Sequence, residues 1–517
     1  MMIVRAIKSP RPSLPSAPAI VTYLALAKLA VHLATATNYG LFVDELYFLA
    51  CGQHLAWGYV DLPPLAAALA WLARALFGHS VFGIHLIPAL AGAGLVALTG
   101  LLVHELGGKR FAQLLAGLAI LVASVYLTVH SYLSMNAIEP LIWTGCACLL
   151  VRMIKTGDAR LWLAFGALSG LGLLNKATMA MFGLGLVLGL LLTPARKLMA
   201  SRWFLFGGAI AALIFLPNLI WMIRHGFPML ELLANIRRSG RNVSLTPLQF
   251  ILEQAVLMHP LTLPLWLAGL GAYFFGRQLK AYRVLGWAYL VVLGVLLATE
   301  GRTYYLAPVY PILFAGGAVG IEGWMDSVRW RSLRPAYAGA LAIGGTILAP
   351  LFLPVLPPEV YTRYADALHI QQLKIETFAT GKLPQLFADR FGWPEMAETT
   401  AQVYDSLLPE ERAGAAILTG NYGQAGAIDF YGPALGLPGA ISGHQNYYYW
   451  GPRDYTGEIV IALGMSPNVL RTYFADVRPA GTVRHPYSMP YENLTIFVCR
   501  GPKQSLTDIW PNLKNWS

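Results

Sequence analysis

Apolar runs of about 20 residues, the length that crosses a hydrocarbon core of roughly 30 Å, recur through the first 355 positions of the chain. They predict eleven membrane spans, near residues 18–38, 83–103, 111–129, 135–151, 161–174, 178–193, 203–222, 250–275, 284–299, 304–322 and 336–355. The run at 161–174 is short for a perpendicular crossing. Leu62 to Phe77 reads as a further apolar helix, too short to cross and suited to lying at the interface. From about Pro357 the runs break up into polar, Pro-rich and Tyr-rich sequence. There a helical piece near Glu395 to Leu408 precedes short apolar stretches at Gly414 to Thr419, Glu458 to Leu463 and Leu494 to Cys499 that read as buried strands. The expected fold class is an α-helical polytopic membrane protein with about 11 transmembrane helices in residues 1–356. A small extracytoplasmic α/β domain is expected in residues 357–517.

Composition supports this division: 56% of the 517 residues are hydrophobic and only 12% charged, where soluble chains carry roughly a quarter. A disordered or ordinary soluble protein is excluded. The net charge of +11 does not indicate nucleic acid. Before Leu356 there are 25 Lys and Arg against 11 Asp and Glu, and after it 12 against 15. The basicity therefore belongs to the membrane part, where loop cations set orientation and meet anionic headgroups. The four cysteines, Cys51, Cys146, Cys148 and Cys499, are too scattered for a disulfide scaffold.

With the N-terminus in the cytoplasm, 17 basic loop residues fall inside, from Arg5, Lys8 and Arg11 through Arg329, Arg331 and Arg334, and 7 fall outside. The positive-inside rule selects that orientation, and an odd number of spans places the C-terminal domain in the periplasm. The N-terminal stretch shows no small-residue cleavage site, so the first span is expected to be retained.

Acidic residues are the informative ones, because an ionised side chain near a bilayer is costly without a partner or water. Asp44, Glu45 and Asp61 all fall in the first outer loop, which is otherwise apolar and aromatic. Adjacent Asp44 and Glu45 on a helical turn point about 100° apart, so one can face a pocket while the other supports the backbone. Asp61 precedes the stiffened Pro63-Pro64 pair. Such carboxylates can deprotonate an incoming hydroxyl or amine, or hold a hard divalent cation. Cations on the same face, Lys176, Arg302 and the Arg224, Arg237, Arg238 and Arg241 group, suit a phosphate. Asn136 and Glu139, at the entry of the fourth span, either extend this polar site or form an interhelical hydrogen bond. The aromatic run Asn446 to Trp450 is either a carbohydrate-stacking surface or rim packing.

An Asp-Glu pair after the first span, Tyr59-x-Asp61-x-Pro63 opening a juxtamembrane helix, Lys176 after the fifth span and Arg302-x-Tyr304-Tyr305-x-x-Pro308-x-Tyr310-Pro311 together carry a likeness. Over residues 20 to 325 the chain resembles the protein O-mannosyltransferase and lipid A aminoarabinose transferase superfamily, integral-membrane GT-C glycosyltransferases that use polyprenyl-phosphate sugars. The resemblance implies Asp44 as base or acceptor-orienting group with Glu45 its neighbour, and Asp61 near a divalent metal cation (Mg, Mn or Zn) and the donor phosphate. It also implies Lys176, Arg302, Tyr305 and Tyr59 as donor-phosphate residues. It departs from the aminoarabinose transferases at Tyr47 and Leu62, where those carry basic residues, and at Asn136, where many relatives carry an aspartate. The expected activity is inverting transfer of a sugar from a polyprenyl-phosphate donor to a glycan, lipid or protein acceptor, with membrane lipid as partner and no nucleic acid. The alternative is a polyprenyl-lipid or sugar-lipid flippase. Transport predicts ionisable residues spread through the spans near the midplane, whereas these gather at one face.

Overall fold

The computed structural model describes residues 16–328, 330–369, 374 and 376–517. Arg5, Lys8, Arg11 and Arg329 lie outside these residues. The first four helices are α1 (Ala17–Thr35), α2 (Val43–Gln53), α3 (Leu65–Phe77) and α4 (Val81–Glu105). Each remaining apolar stretch is also helical, but the continuity differs from the expected eleven crossings. Among the described residues six helices are long and apolar enough to cross a bilayer, or up to eight when each sharply bent pair counts as one span. Breaks at Ala123 and at His259-Pro260 divide the expected runs 111–129 and 250–275 into shorter helices, the second pair bent by 99°, and the chain also turns by 111° between Leu191 and Pro194, where the expected run 178–193 ends. Hydropathy reads through such breaks because the flanking residues stay apolar, whereas proline removes a backbone donor and turns the chain. α3 is short and exposes Trp71, Leu72, Leu76 and Phe77, the character expected of an interfacial helix.

Beyond residue 356 a five-stranded sheet forms, in the order β2-β1-β3-β5-β4. Its strands are β1 (Ala416–Thr419), β2 (Ile441–Ser442), β3 (Ile459–Leu463), β4 (Phe474–Thr482) and β5 (Thr495–Pro502). β2, β1 and β3 are parallel, while β5 pairs antiparallel with both β3 and β4. The buried strands β1, β3 and β5 match the three apolar stretches. β4 escapes notice because it is a mostly exposed edge strand whose register shifts between Pro479 and Gly481. The helix Trp393–Asp405 occupies the expected helical piece.

α2 is the hinge between the two parts. Leu46, Phe48, Leu49 and Cys51 share a buried core with Ile417, Ala425, Ile428, Ile461 and Val498. The helix Tyr422–Tyr431 lies directly on α2, and a Cβ at Gly426 would fall 2.8 Å from the Leu46 backbone. Glycine there lets the two backbones meet. The run Tyr447–Trp450 packs inward: Tyr447 is buried, Tyr448 lies parallel to Trp510, and Trp450 stacks on His54 at 4.4 Å. Of the two readings of that run, packing is the one its rings adopt.

Candidate active site

α2 starts where Glu45 reaches back to the N–H of Phe42 at 2.8 Å, half of a capping box, with Asp44 and Glu45 both in the positive first turn. Glu45 is fully buried and spends its oxygens on the frame. It accepts from the N–H of Leu133 at 2.6 Å and pairs with His85 Nε2 at 3.0 Å, while His85 Nδ1 bonds the Ala36 carbonyl. The Glu45 carboxylate thereby fastens α2 to α4 and to the loop before the helix Met135–Thr156. Tyr59 is also turned to structure. Its hydroxyl donates to the carbonyls of Cys51 and His54 at 3.0 and 3.2 Å and accepts from the Ala56 N–H at 3.1 Å, which closes the end of α2.

Asp44 Oδ1 accepts from the Tyr422 hydroxyl at 2.8 Å, and Asp61 Oδ1 from the Tyr47 hydroxyl at 2.8 Å. The two tyrosine rings pack at 4.8 Å, which sets the acids side by side. Burial pushes the Asp44 carboxyl up, and the Tyr422 bond, followed by Arg241 and Arg302, draws it partly back. Burial pushes Asp61 up to about 7, with Tyr47 opposing and the Asp44 charge adding to the rise. Two partly desolvated carboxylates that repel each other form a proton-accepting or cation-holding pair.

Arg302 lies close enough to Asp44 to act on its charge. It donates to Asn242 Oδ1 at 2.8 and 3.1 Å, to Glu376 Oε1 at 2.7 Å and to the Tyr304 hydroxyl at 3.4 Å. Arg241 shares the same Glu376 oxygen at 2.9 Å. Burial works to raise the Glu376 carboxyl, but the Arg241 and Arg302 guanidiniums win and hold it below the usual carboxylate range. Lys176 Nζ lies 3.9 Å above the Tyr305 ring and 5.8 Å from that of Tyr304, so Tyr304 stands between the lysine and Arg302. Lys176 also donates to Asn136 Oδ1 at 2.7 Å and pairs with Glu139 at 3.4 Å, while Thr178 donates to the other Glu139 oxygen. Asn136 and Glu139 thus serve as the lysine's holders. Arg237 and Arg238 end the helix Pro228–Ser239 and have no part in this cluster, and Arg224 is exposed.

Sequence reasoning missed the contribution of the α/β part. Tyr422 lies 378 residues from Asp44. Asp389 is buried, its carbonyl accepts from the Val43 N–H at 3.0 Å, and its carboxyl is pushed well up by burial and then by Asp44. Arg390 is buried beside it, donates to Ser131 Oγ at 2.8 Å and lies 5.5 Å over the Tyr132 ring. The signal available was indirect: buried acids require donors, and the Tyr-rich tail was the place to find them.

Among the described residues no three His, Cys, Asp or Glu side chains converge into a metal site. The Asp44 and Asp61 pair offers oxygen donors of the kind a hard divalent cation takes while keeping waters and phosphate oxygens. It lacks the His and Cys ligands common at zinc.

Residues 61–221 match the family described as dolichyl-phosphate-mannose-protein mannosyltransferase. The fold aligns with the crystal structure of ArnT from Cupriavidus metallidurans bound to undecaprenyl phosphate at a TM-score of 0.61 and 16% identity, covering 93% of this chain and 98% of that one. The apo state of the same protein gives 0.59 and 15%, with the same coverage. The chain shares the fold of that structure over nearly its whole length and has helices long and apolar enough to cross a membrane several times. Among individual relatives, it is 26% identical over 353 residues to the lipid A galacturonosyltransferase RgtD of Rhizobium johnstonii, covering 63% of this chain and 69% of the relative.

Proposed function

We propose that this enzyme moves a sugar from a polyprenyl-phosphate donor to a hydroxyl of a glycolipid of the lipid A kind, at the extracytoplasmic face of the inner membrane, with inversion at the anomeric carbon. The observation that carries the reading is Asp44, a desolvated carboxylate held by Tyr422 with Arg302 and Arg241 close enough to act on it. The ArnT structure bound to undecaprenyl phosphate supports the donor class, and the lipid A galacturonosyltransferase supports the acceptor class.

In the reaction the acceptor oxygen forms a bond to the anomeric carbon while the bond from that carbon to the phosphate oxygen breaks. The electron pair leaves with polyprenyl phosphate, and the acceptor proton passes to Asp44. Charge accumulates on the departing phosphate, where Lys176 and Arg302 stabilise it, and this electrostatic term is the larger one. Tyr305 supports the lysine from beneath. Asp61 would hold a divalent cation, which would supply neutralisation of the phosphate. Asp61, with its proton affinity raised by burial, is kept aligned by Tyr47.

The deciding experiment supplies purified full-length protein in lipid nanodiscs with a radiolabelled undecaprenyl-phosphate sugar and a lipid A acceptor. Wild type transfers label, and Asp44→Asn binds donor lipid but transfers none. Turnover by the Asp44→Asn protein at the wild-type rate would remove Asp44 as the base.

A further inference from the structure

We propose that the loop from Ser442 to Tyr447 in the α/β unit is a sugar-recognition subsite, in which the side-chain amides of Gln445 and Asn446 bind ring hydroxyls of the donor sugar. The inference rests on the glycosyl-transfer reading and names the part of the chain that reads the sugar.

Placement comes first. The Asn446 N–H donates to the Tyr47 hydroxyl at 3.3 Å, and Tyr47 donates in turn to Asp61 at 2.8 Å. Two hydrogen bonds therefore separate the loop from one acid. On its other side, the His444 ring stacks on Tyr422 at 4.9 Å, with planes 13° apart, and Tyr422 holds Asp44. The loop spans both carboxylates.

Unmet hydrogen-bonding capacity comes second. Gln445 and Asn446 are each only 3% exposed, yet Gln445 Oε1 and Asn446 Oδ1 have no partner in the protein. The Gln445 amide nitrogen reaches only the Ser517 carbonyl, at 3.4 Å. A buried acceptor left without a donor destabilises a fold by about 1–3 kcal/mol, so two neighbouring ones call for donors from elsewhere. A pyranose offers them, since each hydroxyl donates one hydrogen bond and accepts others. An uncharged amide also suits hydroxyls better than the phosphate, which has Lys176 and Arg302.

Backbone geometry comes third. Gln445 adopts φ +45°, a left-handed conformation unfavourable for a side chain of its kind. The chain around it holds it there. Its N–H donates to the Asn515 carbonyl at 3.0 Å, Trp516 Nε1 donates to its carbonyl at 3.2 Å, and Gly443 lies so close to Leu513 that a Cβ would meet the carbonyl oxygen at 1.8 Å. Strain retained by several independent contacts, beside a desolvated acid pair, is the pattern of a binding site. Of the neighbouring aromatic residues that advertise carbohydrate stacking in the sequence, Tyr447 is buried, Tyr448 and Trp450 pack on Trp510 and His54, and Tyr449 is exposed, so the buried recognition groups of this loop are the two amides preceding them.

The test measures binding to full-length protein in nanodiscs of undecaprenyl phosphate alone and of undecaprenyl phosphate carrying mannose, glucose or galacturonate. Gln445→Ala and Asn446→Ala are expected to lower affinity for the preferred sugar-bearing lipid about tenfold each and to flatten the preference among sugars, leaving the bare lipid unchanged; tenfold corresponds to about 1.4 kcal/mol. Should either alanine variant fail to fold, the near-isosteric Gln445→Glu and Asn446→Asp report the same selectivity through KM. Equal losses for bare and sugar-bearing lipid would make the loop structural and overturn the proposal. So would unchanged sugar preference in folded variants of a wild type that transfers label. A wild type that transfers no label and binds all four lipids equally would instead overturn the glycosyl-transfer reading, and the subsite with it.

Discussion

Replacing Tyr422 with phenylalanine isolates one hydrogen bond, the 2.8 Å donation to Asp44 Oδ1. The hydroxyl bonds the ionised carboxylate and so favours the charged form, lowering the proton affinity that burial raises. A hydrogen bond to a charged group contributes about 1.5–3 kcal/mol, and each pKa unit corresponds to roughly 1.36 kcal/mol. Removing it raises the Asp44 pKa by about one to two units. Because the base must be ionised, the acid limb of the kcat/KM profile moves to higher pH by the same amount. Activity on that limb falls roughly 10- to 100-fold and recovers at alkaline pH. Label transfer measured across pH 4 to 9 with the purified variant reads this directly. A limb that stays in place while the rate drops equally at every pH would show that Tyr422 only packs α2, and that Asp44 does not limit turnover as a base.

Four further outcomes follow from the same geometry. Asp61→Ala is expected to weaken donor affinity and to abolish any dependence of transfer on added Mg or Mn; chelator treatment of wild type should lower the rate and metal return should restore it, and a rate indifferent to both would exclude a metal role for Asp61. Lys176→Met removes a charge-assisted contact and should reduce affinity for bare undecaprenyl phosphate by one to two orders of magnitude, seen by titration. Glu45→Ala leaves buried donors at Leu133, Phe42 and His85 unpaired and should destabilise the fold by about 3–5 kcal/mol, visible as a lower melting temperature in detergent. Glu376 has a depressed folded-state pKa, so the stability it lends is present above its ordinary carboxylate range and lost as pH falls through the lower folded value; Glu376→Gln should flatten that acid-side loss in a pH series of melting curves.

The helical part was legible because apolar length is a strong signal, while the break at His259-Pro260 was not, because it falls inside a run that remains hydrophobic. Asp44, Asp61, Lys176 and Arg302 stood out as ionisable residues in apolar surroundings, and they gather around Tyr304, Tyr47 and Tyr422. Glu45 carried the same signal as Asp44. Only the backbone direction of α2, which points one carboxylate at Leu133 and the other at Tyr422, separates frame from site. Tyr422, Glu376 and Asp389 were invisible for a different reason. Asn421 caps an ordinary helix just before Tyr422, and no local spacing tells that this helix will lie on α2. Such partnerships are made by tertiary packing between segments hundreds of residues apart.

That separation along the chain has a temporal consequence. A ribosome that has produced the early helices has already made Asp44 and Asp61, but the phenol that bonds Asp44 exists only after hundreds more residues have been made. Until the final segment has folded against α2, Asp44 is without the hydroxyl that bonds it, and the cluster stays incomplete.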